Sequence, residues 1–172
     1  MEFEALIKRR ESVRSYDPGR PVSRPILQKI LEAGRIAPSA ANRQPFRFLL
    51  VSSAETLREV KRCYDKPWFK DAPHVLVVVG RADAAWTRQK DGYNSLETDV
   101  AIAMDHMILA AENEGVGTCW IAAYEPDILK KALGLGTSDD VFAITPLGYP
   151  RAGWTRKTEK PRKKMEEIAF FI

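Results

Sequence analysis

The residues best suited to chemistry near the start of the chain are Arg10, Ser12 and Arg14. They follow residues 2–10, whose apolar side chains recur at the spacing of a short amphipathic helix. Guanidinium groups present paired N–H donors that match the oxygens of a phosphate dianion, and the hydroxyl adds a further donor. The segment therefore indicates a phosphate site, although alone it is equally compatible with a solvated basic face.

A second polar segment is the loop Pro38–Pro45, which links a predicted helix to a predicted strand. Between its prolines it presents one hydroxyl and two carboxamides, from Ser39, Asn42 and Gln44. Carboxamides both donate and accept hydrogen bonds, as recognition of a flavin pyrimidine edge or a ribityl chain requires. By composition alone the loop could also be a simple turn.

Near the other end of the chain, Lys160 and Arg162 flank a proline and again suit a phosphate. They belong to a basic stretch, residues 151–164, that contains seven lysines and arginines and one acidic residue. Taken alone, exposed tail charge explains this stretch as well as an anion site does.

Nucleophilic and metal chemistry have few candidates in this sequence. His74 and His106 lie in a predicted strand and a predicted helix, outside any recognisable ligand cluster. Cys63 and Cys119 lack metal-ligand spacing, and no nucleophile elbow is present. We therefore predict no metal site and no certain catalytic side chain, and we expect a bound cofactor to carry any catalysis.

Helices and strands must position these segments, and along the chain they follow one another without strict alternation. Apolar residues at helical spacing predict helices over residues 2–10, 23–38, 53–61, 96–114 and 126–134. Strands are predicted over residues 46–51, 74–80, 118–122 and 141–149, and the run at 74–80 is apolar and rich in β-branched residues. The second of these strands is apolar throughout and should be buried on both faces. This order predicts a single α+β domain over residues 1–172.

Composition is that of a globular protein: 45% of the 172 residues are hydrophobic, enough for one core. No apolar run reaches the roughly 20 residues that cross a bilayer, and the acidic start does not resemble a secretory signal. We therefore expect a cytoplasmic protein with reduced thiols and no membrane partner. The last apolar residues are Phe170, Phe171 and Ile172, and apolar side chains of this size are normally buried. An arm that carries them onto a partner subunit would bury them.

In this order the segments resemble the nitroreductase family. That family shows an Arg-x-Ser-x-Arg/Lys element near its start, a Pro-Ser-x-x-Asn-x-Gln-Pro loop leading into a strand, and a terminal Lys-x-Arg. The matching residues here are 10–14, 38–45 and 160–162. The resemblance continues through Ala72-Pro73, the helix 99–114 and the segment 115–122, so that it spans essentially the whole chain.

The resemblance implies a nitroreductase-like α+β fold, with a mixed, mostly antiparallel sheet flanked by helices. It also implies a homodimer with an exchanged C-terminal arm and FMN bound at the dimer interface. Matched residue by residue, the phosphate-side ligands are Arg10, Ser12, Lys160 and Arg162, and Arg14 is the cation near the flavin pyrimidine. The residues that reach the flavin from the partner subunit are Ser39, Asn42 and Gln44. The residues passing the ring are Ile121, Ala122 and Ala123, with the Ala122 N–H a candidate donor to flavin N5.

Two departures from the family pattern have consequences. Glu11 places a carboxylate between the expected phosphate ligands, so we expect it to point away or to pair with a neighbouring arginine. Residues 81–94 form a connecting segment that is shorter than the helical insertion of larger family members. We expect this segment to help shape the entrance of the substrate site.

The implied activity is that of an NAD(P)H-dependent FMN oxidoreductase. Hydride would pass from NADH or NADPH through flavin N5 to a flat small-molecule acceptor, a nitroaromatic, a quinone or a flavin, by ping-pong kinetics. Arg14 would stabilise charge that develops on the flavin pyrimidine.

Three alternatives stay open at this point. They are specialised flavin chemistry on the same scaffold (reductive dehalogenation or flavin breakdown), FMN binding without turnover, and nucleic-acid binding by the basic clusters. The last is disfavoured because the basic residues are not interleaved with exposed aromatics and no groove-reading motif is present, so we expect no nucleic-acid partner.

Overall fold

The computed structural model describes residues 2–157 and 160–172, so that Met1, Thr158 and Glu159 lie outside the described chain. The helices are α1 (Phe3–Arg9), α2 (Arg24–Arg35), α3 (Ala54–Val60), α4 (Pro67–Lys70), α5 (Leu96–Asn113) and α6 (Pro126–Leu133). The strands are β1 (Phe46–Val51), β2 (His74–Gly80), β3 (Gly117–Thr118) and β4 (Asp140–Gly148). Short 3-10 turns lie at Ala40–Asn42, Lys61–Cys63 and Met165–Glu167.

The four strands form one sheet in the order β1-β2-β4-β3, and each pairing between them is antiparallel. All seven residues of β2 are buried because the strand lies inside the sheet and both of its faces are covered. A single parallel bridge joins Ser12 to Thr118 next to β3. The predicted α+β class with a mostly antiparallel sheet is therefore confirmed.

The sheet separates two hydrophobic layers. On one face, α2 and α5 pack against each other and against Leu76 and Val78 of β2. On the other face, α3 and α6 cover Val75, Val77 and Val79. Successive side chains of a strand point to opposite faces, so the continuous apolar run of β2 supplies both layers.

Two local predictions from the sequence need correction. β3 covers only Gly117–Thr118, whereas the sequence predicts a strand over residues 118–122. The ladder is interrupted because the Cys119 N–H donates to the Thr145 hydroxyl at 3.0 Å instead of to a strand carbonyl. Helix α4 is not predicted, since its four residues are too few to show a helical period.

Helix α5 passes through the core with two carboxylates buried near its opposite ends, Asp99 and Glu112. Each helical residue rises about 1.5 Å, so these two positions are separated by about 20 Å along the helix axis. Each carboxylate holds a different part of the candidate site, as described below.

His74, the first residue of β2, is a buried imidazole with two hydrogen-bond partners. Its Nε2 accepts from the Val22 N–H at 3.1 Å, and its Nδ1 lies 2.8 Å from the Ser52 hydroxyl oxygen. Burial lowers the pKa of His74 below its ordinary value of 6.5, and the charge of Lys61 acts in the same direction. The folded protein therefore holds this imidazole neutral.

We predict that the free energy of unfolding falls as the pH is lowered from about 7.5 to about 5.5. The unfolded chain takes up a proton on His74 at its ordinary pKa, whereas the folded chain resists this proton, so acid favours unfolding. Urea unfolding at several pH values measures the effect. His74→Gln should flatten this pH dependence, and an unchanged pH profile in this variant would contradict the prediction.

Candidate functional site

The segment Arg10–Arg14 leaves α1 and runs beside β3. The Val13 N–H donates to the Thr118 carbonyl at 2.8 Å, next to the parallel bridge. Val13 is buried against Gly117, where an added Cβ would lie only 2.9 Å from Val13 Cγ2. The glycine therefore allows the close approach that places Arg10–Arg14 beside the segment following β3.

Arg10, Ser12 and Arg14 line a cavity of about 240 Å³, which we call the inner basic cavity. The other lining residues are Glu11, Lys157, Lys160, Pro161 and Arg162. The structure thus brings together the first and the third of the predicted segments, which stand at opposite ends of the sequence.

Lys160 makes contacts that differ from those expected of a direct phosphate ligand. Its ammonium donates to the carbonyl oxygens of Lys8, Arg9 and Arg10 at 2.7, 2.8 and 2.9 Å. These three bonds use all three ammonium protons. Lys160 therefore ties the tail to the C-terminal end of α1 and places a positive charge over that end's carbonyl groups. It contributes charge to the inner basic cavity, but no free N–H.

A buried charge cluster adjoins this cavity through Glu11, one of the lining residues. Glu112 Oε1 is 2.8 Å from Arg9 Nε and also 2.8 Å from Arg156 Nη2. Glu11 Oε2 accepts from the Lys157 N–H at 3.2 Å, and Glu11 Oε1 lies 3.8 Å from Arg156 Nη1. Of the two alternatives expected for Glu11, pointing away or pairing with an arginine, the structure shows the pairing, while Glu11 still lines the cavity. Sequence reasoning missed Arg156 and Glu112, which give no local signal because their partners are distant along the chain.

The loop Pro38–Pro45 is attached to the opposite end of α5. The Ala40 N–H donates to Asp99 Oδ1 at 2.9 Å, while Asp99 Oδ2 accepts from the Ser95 hydroxyl at 2.8 Å. Asp99 is buried, so both of its oxygens need such partners. The sequence gives no sign of this anchor beyond an acid near the start of a helix.

Within the loop, the backbone adopts a demanding conformation. Ala41, Asn42 and Gln44 have φ angles of 50°, 52° and 48°, in the left-handed region that costs a non-glycine residue about 1 kcal/mol or more. Internal bonds offset this cost: the Ser39 hydroxyl accepts from the Gln44 N–H at 2.9 Å, and the Gln44 amide donates to Asn42 Oδ1 at 3.1 Å. The loop is therefore held in shape while the Asn42 and Gln44 residues stay exposed.

One chain does not bring all of the predicted site residues together. Ser39, Asn42 and Gln44 do not line the inner basic cavity. Their loop contacts α5 at Asp99, whereas the charge cluster contacts it at Glu112, about 20 Å away along the axis.

The segment after β3 presents backbone at the surface. Ile121 exchanges two hydrogen bonds of 2.9 Å with Ile144, which fixes its position against β4. Ala122 and Ala123 are exposed, and among the described residues the Ala122 N–H has no hydrogen-bond acceptor. The backbone donor predicted at Ala122 is thus accessible and held by its neighbour.

The thiols are unsuited to nucleophilic chemistry. Burial raises the pKa of the Cys63 thiol to about 12. Burial also raises the pKa of the Cys119 thiol, although the nearby charge of Arg14 opposes the shift. Neither thiol is ionised near neutral pH. In residues 2–157 and 160–172 no group of acidic, histidine or cysteine side chains could hold a metal ion, and no helix could span a membrane.

Solved structures show the same architecture. A nitroreductase family protein from Clostridium difficile 630 superimposes with a TM-score of 0.87 at 31% identity, covering 99% of this chain and 98% of that one. A structure from Desulfovibrio desulfuricans, solved in complex with FMN, superimposes with a TM-score of 0.82 at 24% identity, covering 98% and 95%.

Sequence relatives agree with this similarity. A protein of Archaeoglobus fulgidus, provisionally named NADH dehydrogenase/NAD(P)H nitroreductase, is 30% identical over 150 residues, 85% of this chain and 84% of that protein. Iodotyrosine deiodinase of Thermotoga neapolitana is 24% identical over 173 residues, covering 84% of this chain and 87% of its own. The family model named Nitroreductase family matches residues 7–66 and 54–149. This match extends over most of the fold described above, and the chain belongs to the nitroreductase family.

Proposed function

We propose that this protein is an FMN-dependent NAD(P)H oxidoreductase. The observation that carries the proposal is the inner basic cavity, in which residues 10–14 and 160–162 meet. The bridge between Ser12 and Thr118 joins this region to the segment that leads to residues 121–123. Bound FMN would supply the redox chemistry, taking hydride from NADH or NADPH and passing it to a flat acceptor.

The donors of the inner basic cavity fit the phosphate of FMN. Arg10 and Arg162 carry guanidinium groups suited to bidentate contact with a dianion, and Ser12 adds a hydroxyl. Glu11 also lines the cavity and its carboxylate would repel such an anion, but this charge is compensated because Oε2 accepts from the Lys157 N–H and Oε1 lies 3.8 Å from Arg156 Nη1. The cavity therefore keeps a positive field.

The residues toward the ring side have separate roles in this proposal. Arg14 is exposed beside Cys119 and would place its charge near the flavin pyrimidine. Ala122 would offer its N–H to flavin N5, and the bonds of Ile121 to Ile144 hold that donor in place. A donor fixed before the ligand arrives needs little reorganisation during the reaction.

We also propose that the functional unit is a homodimer. The loop Pro38–Pro45 is anchored at Asp99, whereas the charge cluster that adjoins the inner basic cavity contacts α5 at Glu112, about 20 Å away along the axis. In this proposal Ser39, Asn42 and Gln44 would therefore serve the cofactor of a second copy. Phe171 and Ile172 are fully exposed in the single chain. Apolar cavities of about 600 and 530 Å³ between α2 and β1, lined by residues such as Leu31, Phe48 and Leu50, would receive the partner's C-terminal arm.

Reductive dehalogenation of an aromatic substrate is the second candidate function. It is favoured by the similarity to the deiodinase of Thermotoga neapolitana over 84% of this chain. Mixing the reduced flavoprotein anaerobically with an iodotyrosine, and separately with a nitroaromatic or a quinone, would decide between the two acceptor classes. The acceptor that reoxidises the flavin rapidly identifies the activity.

The first prediction under this function concerns the purified protein itself. It should be yellow with FMN, and anaerobic NADH or NADPH should bleach the visible absorption because the flavin becomes reduced. If neither NADH nor NADPH bleaches the absorption, the protein binds FMN without turnover. Colourless protein that takes up no added FMN would refute the proposal.

Substitution tests the phosphate ligands. Arg10→Ala and Arg162→Ala should each weaken FMN binding by about tenfold or more, since a hydrogen bond to a charged group contributes about 1.5–3 kcal/mol. Fluorescence titration of the FMN-free protein measures the affinity. Arg58→Ala, an exposed arginine on α3 paired with Glu59, is the matched control and should bind FMN normally. Wild-type affinity in both test variants would contradict the assignment.

Subunit mixing tests whether the site is shared between chains. One variant carries Arg10→Ala and Arg162→Ala, and the other carries Asn42→Ala and Gln44→Ala. After random re-pairing, about one quarter of all sites should combine an intact cavity with an intact loop and regain FMN. If each loop served its own chain, mixing would restore no site. Light scattering before and after mixing should show twice the chain mass of 19.4 kDa.

A further inference from the structure

A second basic cavity adjoins the inner one. It has a volume of about 430 Å³, and we call it the outer basic cavity. Six of its seven lining residues are lysines or arginines, and the seventh is Ile7. Lys157, Lys160 and Arg162 line both cavities, so the two are neighbours on one surface. Lys8 is a cation that lines only the outer cavity.

Part of the positive charge in the outer basic cavity is matched by carboxylates. Arg9 and Arg156 contact Glu112, and Lys8 contacts Glu4 at the surface. Among the described residues, no carboxylate or hydrogen-bond acceptor contacts the Lys157 ammonium. The described residues around the cavity therefore carry a surplus of positive charge, which favours an anionic ligand.

The phosphate of FMN does not account for the surplus of positive charge in the outer basic cavity. FMN has one phosphate, and the inner basic cavity already offers it two guanidinium groups, those of Arg10 and Arg162, and the Ser12 hydroxyl. A phosphomonoester carries nearly two negative charges near neutral pH, so a second one would match the outer basic cavity. Ile7, which is 45% exposed, adds an apolar surface on which a nucleoside could lie.

We propose that the outer basic cavity binds the 2′-phosphate of NADPH and so makes NADPH the preferred electron donor. This inference rests on the proposed function, because the donor must reach the FMN held by the neighbouring cavity. NADH lacks the 2′-phosphate, so the additional cations distinguish the two donors. A free flavin mononucleotide acting as acceptor would present the same phosphomonoester chemistry, and the experiment below separates the two sources.

Kinetics with both donors test the preference. The wild-type protein should use NADPH with a kcat/KM about tenfold or more above that for NADH. Lys8→Glu should lower the NADPH value by about tenfold, because it places a negative charge beside the phosphate, and Lys8→Gln should lower it less. Lys131→Glu, an exposed lysine on α6, is the matched control and should change neither value.

Binding provides a readout that does not depend on turnover. Calorimetric titration of the FMN-loaded protein should show adenosine 2′,5′-bisphosphate binding about tenfold more tightly than adenosine 5′-monophosphate. Lys8→Glu should remove that difference. NADPH should displace the bisphosphate competitively; displacement by free FMN but not by NADPH would assign the cavity to a flavin acceptor and overturn the proposal.

The outcomes also separate this inference from the proposed function. Flavin reduction by NADH with no preference for NADPH, together with equal binding of the two adenosine nucleotides, would overturn the inference alone. Protein that binds no FMN, or flavin that neither donor reduces, would overturn the proposed function as well.

Discussion

The buried carboxylate of Glu112 connects three parts of the chain that form the candidate site. Its Oε1 lies 2.8 Å from Arg9, at the end of α1, and 2.8 Å from Arg156, in the C-terminal tail. A buried charge without such partners would cost several kcal/mol, so α5 can keep Glu112 in the core only while both arginines are present. The same pairing joins the end of α1 to the C-terminal tail, and residues that follow α1 and residues of the tail line the inner basic cavity.

The cluster also divides the many basic residues of this surface into two groups. Arg9, Arg156 and Lys160 are held by Glu112 or by the carbonyl groups that end α1, and their function is to maintain the structure. Arg14 and Arg162 have no carboxylate partner among the described residues and can face a ligand. The sequence alone does not distinguish the two groups, because arginine and lysine can each either maintain the structure or bind a ligand.

The length of α5 sets the second constraint on the site. It holds the Glu112 cluster at one end and, through Asp99, the strained loop Pro38–Pro45 at the other. Helix geometry fixes the separation between these two anchors at about 20 Å along the axis, so the loop and the charge cluster of one chain are held apart. A second copy of the chain is the simplest way for both family motifs to contribute to one site.

Features decided by neighbouring residues were predictable from the sequence. The bounds of β1 follow from a mostly apolar run and those of β2 from an apolar run rich in valine. Ser53 caps α3 through its hydroxyl, and Gly134 ends α6 with a left-handed backbone. The ordered motifs at residues 10–14, 38–45 and 160–162 were sufficient to indicate the family, because their types and spacing are visible without coordinates.

Features decided by residues far apart in the sequence required the tertiary structure. The Thr145 hydroxyl shortens β3, Lys160 binds the end of α1 instead of offering three free protons, and Asp99 anchors a loop 59 positions away. No periodicity or local propensity encodes such contacts, since each depends on two segments meeting in the folded chain. The sequence therefore determined which residue types the site contains, and the tertiary structure decided which of them are free to bind a ligand.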